Sequence, residues 1–361
     1  MLYYIFAPLI RHFAGFNVFR YITFRSIYAM ITALVISFIF GPAVIRFLRR
    51  INVSQIREYV PETHLKKTGT PSMGGLLILL AIIVSTLLWA DIRNTYVIIS
   101  LVTVVWLGIL GFADDYLKVR KQNSDGVIAR YKLIAQGSLG LLVGTYLYMF
   151  PGNEALKGFI TIPFMKDMFI DLGIFYIPFV MLVIMGASNA VNLTDGLDGL
   201  AIGNVSLAIA AYGAIAYVTG HAEFAAYLNI PYMPGTGELT VFAMAILGAG
   251  LGFLWFNSHP ASVFMGDVGS LSLGGALAII AILLKREILL VIIGGVFVME
   301  AVSVLLQIVY FKWTKGKRLF KRAPIHHHFE LKGWAETKVT IRFWILGIML
   351  ALLGLSTLKL Q

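Results

Sequence analysis

The 361-residue chain contains no cysteine. Disulfides, thiolate nucleophiles and cysteine-ligated metals are therefore excluded, while the redox compartment stays unspecified. Charge is also scarce, with Asp, Glu, Lys and Arg making up 13% of residues, against about 25% in a soluble globular domain. No low-complexity segment or soluble domain stands out, and no period of roughly 20–50 residues recurs, which argues against a repeat architecture. A G-x-x-x-x-G-K-[ST] phosphate loop is absent, and so is a Ser-His-Asp order. The Gly-x-Gly-x-Gly at 248–252 lies inside an apolar run with no strand before it, so helix packing explains it better than dinucleotide binding. The first ten residues carry no cationic n-region, so no cleavable signal is expected.

What is present is apolar. Hydrophobic residues make up 59% of the chain and the mean hydropathy is +0.84. The expectation is an all-α polytopic membrane protein forming one domain over 1–361. A spanning helix needs roughly 20 apolar residues. About ten such runs are found, at 23–48, 72–90, 95–113, 132–150, 171–188, 199–219, 239–256, 268–284, 288–311 and 340–358. The 35 glycines suit close helix packing in a bilayer. Residues 1–20 are aromatic and amphipathic and read as an interfacial segment. The ninth run would measure about 36 Å as one helix, longer than the roughly 30 Å apolar core, so it must tilt, bend or protrude. Glu300 and Gln307 inside it are expected to face protein or a polar cavity.

The connections alternate in charge. Cations crowd the odd loops: Arg49, Arg50, Arg57, Lys66 and Lys67 in the first, Lys118, Arg120, Lys121 and Arg130 in the third, and eight Lys or Arg in the ninth (312–339). Even loops hold few. The bias predicts odd loops in the cytoplasm and both termini in the periplasm, with Arg11, Arg20 and Arg25 weakly opposing it. A net charge of +11 is compatible with nucleic acid, anionic lipid or a phosphorylated substrate. Its position beside a membrane favours the last two, and no nucleic-acid partner is expected.

The chemistry-bearing residues all fall on the odd loops. Asp114-Asp115 follow an apolar run. Adjacent helical side chains diverge by about 100°, so one acid is expected at an ion or acting as a base, while the other pairs with Lys118 or positions a substrate. Two solvated charges at a membrane edge are the plain alternative. In Asn189-Ala-Val-Asn192-Leu-Thr-Asp195-Gly-Leu-Asp198-Gly199, polar groups recur every third residue, which on one helix would face one side. Such oxygens suit Mg²⁺ shared with phosphates, although capping also uses Asn and Asp. In Phe264-Met-Gly266-Asp267-Val-Gly269-Ser270, an N-cap explains Asp267 equally well on its own. Pro324-Ile-His326-His327-His328 offers imidazoles to phosphate oxygens, whereas three consecutive side chains converge poorly on a zinc ion. Lys67, Thr70 and Gly74-Gly75 resemble a phosphate cradle near a helix start, although on their own a positive-inside anchor is the plainer reading. Together these parts favour divalent-metal phosphate chemistry with a lipid substrate. A proton-coupled transporter is the competing class, against which the acids sit at one face rather than at the midplane.

The strings Gly111-Phe-Ala-Asp114-Asp115, Asn189 to Gly199, Phe264 to Ser270 and Ala323-Pro-Ile-His326-His-His-Phe-Glu-Leu-Lys-Gly-Trp334 resemble the phospho-N-acetylmuramoyl-pentapeptide-transferase family, end to end. The first three mark the wider polyprenyl-phosphate N-acetylhexosamine-1-phosphate transferase superfamily. The triple-His string separates this family from its N-acetylglucosamine relatives, the alternative within the class. The resemblance implies transfer of phospho-MurNAc-pentapeptide from UDP-MurNAc-pentapeptide to undecaprenyl phosphate, with Mg²⁺, in the bacterial cytoplasmic membrane by a homodimer. It implies that Asp267 binds Mg²⁺ with Asp115 or Asp114, and that Asp114 deprotonates or orients the lipid phosphate. It further implies that Asn189, Asn192, Asp195, Asp198, Asn257 and Phe264 line the nucleotide pocket. Lys67, Thr70, Lys118, His326 and His327 would meet phosphates, with His326 counted as catalytic. Gln307 and Ala323 would lie at the nucleoside end.

Overall fold

The computed structural model describes residues 2–6, 8–11, 13–51, 69–121, 126–165 and 169–359. Helices occupy each expected apolar stretch: α1 (Ile22–Arg50), α2 (Gly75–Trp89), α3 (Thr95–Lys121), α4 (Ala129–Met149), α5 (Tyr176–Thr194), α6 (Leu200–Thr219), α7 (Glu238–Asn257), α8 (Gly266–Leu283), the pair α9 (Leu289–Ile293) and α10 (Gly295–Trp313), and, after the short α11 (Ile325–Glu330), α12 (Glu336–Ser356). Among the described residues, eight helices are long and apolar enough to cross a bilayer. The 15-residue α2 is apolar but shorter, and α4, which begins with Arg130 and Lys132, does not meet that measure either.

The bundle is built around α8. All 18 of its residues are buried, as expected of a helix without a polar face. Its sequence is rich in Gly, Ser and Ala, which lets neighbouring backbones come close. It packs against α2, α3, α5 and α6. A Cβ at Gly111 of α3 would overlap the carbonyl of Asp267. A Cβ at Gly274 would sit 2.6 Å from the Ala187 oxygen of α5. These contacts bring Asp114 and Asp115 beside Asp267.

Two local features differ from the sequence reading, and a third meets one of its expectations. Helix α3 runs on to Lys121, so Asp114 and Asp115 lie inside a helix rather than at its end. The long ninth run breaks at Gly294, which resolves its excess length by a bend. Between α4 and α5 a short antiparallel hairpin pairs Phe159–Thr161 with Phe169–Asp171, a minor exception in an all-α fold. The N-terminal segment forms only short turns, whose Phe6 and Phe19 stack on one another while Phe19 stacks on Trp89. This suits a segment lying along the bundle.

Candidate active site

Three carboxylates converge. Asp114, Asp115 and Asp267 are all buried, with oxygens lying within 4.8 Å of one another. Asp115 Oδ2 accepts from the Val268 N–H at 3.2 Å, tying α3 to the first turn of α8. Gly266 precedes this turn at φ +74°, a left-handed conformation that favours glycine, and a Cβ there would collide with the Asp115 carboxylate. Lys118 Nζ lies 2.5 Å from Asp114, 3.3 Å from Asp267 and 4.0 Å from Asp115. The i,i+4 spacing of Asp114 and Lys118 makes the first of these pairs.

A second cation completes the cluster. Lys132 Nζ is 2.8 Å from both Asp114 Oδ1 and Asp267 Oδ2. The sequence reading placed Lys132 only as the first residue of a span. The available signal was a lysine in the opening turn of an apolar helix, on the same side as the acids. Three carboxylates facing two ammonium groups leave a formal excess of one negative charge. An all-oxygen, net-anionic set of this kind can hold a divalent cation.

The Asn/Asp ladder divides. Asn189 and Asn192 share one side of α5. Asn192 donates to Asp267 at 2.9 Å and to Ser270 at 2.8 Å, while Asn189 donates to Gln136 at 2.8 Å. The helix ends at Thr194, Asp195 caps it, and Gly199 turns the chain at φ +73°. Asp198 is thereby directed elsewhere, accepting from the Ala261 N–H and lying 3.1 Å from His259 Nδ1. The expected single-sided ladder thus holds for its first half only, because the helix does not continue. Asp198, His259 and Glu336 form a second group with metal-ligand spacing that the sequence reading did not identify. Asn257 is committed to backbone, accepting from Gly199 N–H and donating to the Val263 carbonyl. Phe264 is buried, and its N–H donates to Pro71 O beside Thr70. Lys67 lies outside the described residues.

The triple-His string forms α11, and its rings diverge as consecutive helical side chains must. His326 is fully buried with Nδ1 3.0 Å from Glu300 Oε2. Its Nε2 has no hydrogen-bond partner among the described residues and lies against Gly196, where a Cβ would overlap it. His326 therefore packs the ninth loop onto the fifth. His327, half-buried, pairs with Glu330 at 2.7 Å, and burial holds its imidazole below the ordinary value despite that carboxylate. His328 Nδ1 accepts from the Lys321 N–H. Gln307 Oε1 accepts from the Phe320 N–H at 2.8 Å. Glu300 and Gln307 thus face protein, as expected. Ala323, partly buried, lies just before α11.

The profile of glycosyl transferase family 4 matches residues 97–285, and a phospho-N-acetylmuramoyl-pentapeptide-transferase signature matches 67–79. Curated proteins named phospho-N-acetylmuramoyl-pentapeptide-transferase are similar over 100% of both chains. They include those of Citrifermentans bemidjiense at 56% identity, Desulfatibacillum aliphaticivorans at 57% and Thermodesulfovibrio yellowstonii at 53%. On this full-length likeness at 53–57% identity, the chain belongs to the phospho-N-acetylmuramoyl-pentapeptide-transferase family.

Proposed function

We propose that the Asp114–Asp115–Asp267 cluster is the phosphoryl-transfer centre of a bacterial inner-membrane enzyme. The enzyme transfers phospho-MurNAc-pentapeptide to a lipid carrier in peptidoglycan synthesis. UDP-MurNAc-pentapeptide is the donor and undecaprenyl phosphate the acceptor. A lipid phosphate oxygen bonds to the sugar-bearing phosphorus, the diphosphate P–O bond breaks and UMP leaves. The observation that carries this reading is the convergence of three buried carboxylates with Lys118 and Lys132.

The residues fit Mg²⁺, with Asp267 and Asp115 as its holders. Bound there, the ion would neutralise diphosphate charge. Lys118 and Lys132 present ammonium groups to phosphoryl oxygens, where charge develops on the leaving UMP. Asp114 orients both lysines. Its oxygens face Lys118, Lys132 and the Val127 N–H, which makes it a poor nucleophile and favours direct attack over a phospho-aspartate. A phosphate monoester has a second pKa of about 6 and is mostly dianionic at pH 7, so orientation rather than a strong base meets the need. Asn192 fixes Asp267. The nucleotide lies along Asp195, Asp198, Asn257 and Phe264, with Lys67, Thr70, His327, Gln307 and Ala323 around it.

An apolar cavity of about 250 Å³ between α5 and α9–α10, walled by Leu182, Gly186, Ala190, Leu290 and Val302, suits part of a prenyl chain. The odd loops are cytoplasmic, about ten segments span the membrane, and two copies form a dimer, which the mass of the protein in nanodiscs would test.

The defining assay is UMP release in lipid vesicles from UDP-MurNAc-pentapeptide and undecaprenyl phosphate. Release from UDP-GlcNAc alone would place the chain with the other branch. Asp267→Asn should abolish Mg²⁺-dependent release in a folded protein, and activity retained at saturating Mg²⁺ would refute the metal role.

A further inference from the structure

The connection between α4 and α5 crowds apolar side chains onto its outer face. Among the described residues between 150 and 175, seven large ones are exposed, including Phe150 at 62%, Ile174 at 64% and Phe175 at 72%. At the same end of the bundle, the connections at 90–94 and 284–288 expose none, and 220–237 exposes three. Water does not favour such a concentration, and contiguous apolar patches mark surfaces that meet something. The face is held in place by the protein. Ile160 of the inner strand Phe159–Thr161 belongs to the main core, and Thr161 Oγ1 donates to the Lys285 carbonyl at 2.6 Å. Leu172 N–H donates to the Gly158 carbonyl at 2.9 Å, and Asp171 Oδ1 accepts from the Gly173 N–H at 2.8 Å. The outer strand, Phe169–Asp171, is exposed at all three residues.

What covers this face is set by what adjoins it. Met149 and Phe150 stand at the end of α4, and Ile174 and Phe175 open the apolar run Gly173–Thr194, which is long enough to cross a bilayer. The exposed apolar surface of the two helices, which includes Leu142 and Leu182, thus leads into the connection. Lys157 Nζ lies 5.1 Å from the centroid of the Tyr148 ring, and both residue types suit the headgroup level, where an apolar body and a polar tip are served together. Among the described residues the outer strand pairs only with the inner one, so its far edge keeps unpaired N–H and C=O groups. Such groups find no partner in hydrocarbon and suit the hydrated headgroup layer. This end of α4 and α5 is opposite to the one that carries Lys132 and Asn192.

We propose that Phe150, Phe169, Ile170, Ile174 and Phe175 form a membrane-seated face, lying where headgroups meet acyl chains in the leaflet away from the carboxylate cluster. Its partner is phospholipid. The aromatic and aliphatic side chains supply the apolar area, while the free strand edge and Lys157 meet headgroups and water. The face seats the seam between α4 and α5, whose far ends bring Lys132 and Asn192 to Asp267. A strand of another protein, added to the edge of Phe169–Asp171, is the competing partner. Three residues offer few ladder bonds, and the apolar exposure extends past the strand to both helix ends, which favours lipid.

The chain has no cysteine, so single introduced thiols can carry an environment-sensitive fluorophore. Ile170→Cys and Phe175→Cys report the face, Glu154→Cys an exposed polar position of the same connection, and Leu142→Cys the exposed side of α4. Each full-length variant is labelled and placed in phosphatidylcholine nanodiscs. Quenching is read with aqueous iodide and with phosphatidylcholine carrying a nitroxide at the headgroup or deep in an acyl chain. Ile170→Cys and Phe175→Cys should lose more fluorescence to the headgroup nitroxide than to iodide, and Glu154→Cys the reverse. Leu142→Cys should respond to the acyl nitroxide. Iodide quenching at the face as strong as at Glu154→Cys would overturn the proposal by placing the face in water. Shielding from iodide and nitroxide alike would overturn it in favour of a protein partner. Quenching of Leu142→Cys by iodide alone would take α4 out of the bilayer, and the proposal with it. The two face positions lie on separate segments, so either decides if the other variant misfolds.

Discussion

Lys132 decides the charge balance of the centre. Without it, three buried carboxylates would face Lys118 alone. Its Nζ bridges Asp114 and Asp267 from the first turn of α4, a helix that meets the cluster only through tertiary packing. Lys132→Met keeps the apolar stem and removes the charge. Loss of one preorganised group at a developing oxyanion costs about 10²–10³ in rate. Lys132→Met should therefore lower the kcat of UMP release by at least about 100-fold, while Lys132→Arg retains part of it. Near-normal turnover in Lys132→Met would remove the lysine from the mechanism. The sequence showed the acids because acids at an apolar boundary are conspicuous. It concealed Lys132 because a lysine at a helix start reads equally well as an anchor. The Asp198–His259–Glu336 group was hidden for a related reason, since its members come from three connections and meet only in the folded chain.

Among the elements, the approach of α3 to α8 matters most. Asp115 and Asp267 can share a site only because Gly111 lets one backbone reach the other. In Gly111→Ala the new methyl meets the Asp267 carbonyl, which is backbone and cannot rotate away. Overpacking of this kind costs about 1–3 kcal/mol. The variant should unfold at a lower temperature and lose UMP release beyond what its folded fraction explains, because the clash displaces a site residue. Gly186→Ala is the control for stability alone, since Gly186 walls the proposed prenyl cavity. Nothing lies within 4 Å of a Cβ at that position of α5, so its stability should stay within about 0.5 kcal/mol. Unchanged unfolding of Gly111→Ala would mean that α3 and α8 are farther apart than described. Helix positions were legible because apolar runs of spanning length have few other meanings in a chain this poor in charge. Their ends were less so. Helix α3 continues past Asp115 since Lys118, one turn on, offsets the acid, and the break at Gly294 had only an excess of length to announce it.

At the scale of the whole molecule, five connections distant in sequence meet at one end of the bundle. Asn192 reaches Asp267, Asn257 reaches Gly199, Thr340 reaches the Asp198 carbonyl and Gly74 reaches Phe264. The charge alternation of the loops anticipated this convergence, because connections on one side of a membrane are the ones able to touch. It could not say which side chains would meet, since contact depends on helix rotation and on small residues in α8. The same alternation carries a prediction about orientation. The absence of cysteine makes any introduced thiol the sole target of a maleimide. Lys317→Cys lies in the exposed connection after α10, and Glu154→Cys in the exposed connection between α4 and α5. A membrane-impermeant maleimide should label Glu154→Cys in cells whose outer barrier has been opened, and Lys317→Cys only in inverted vesicles. The reverse pattern would put the carboxylate cluster on the side away from the cytoplasmic nucleotide pool and sink the donor assignment, whatever the cluster's geometry. A matching pattern would join the loop charges to the chemistry: the lysines that hold these loops in the cytoplasm bring the cluster to the side where a nucleotide sugar is made.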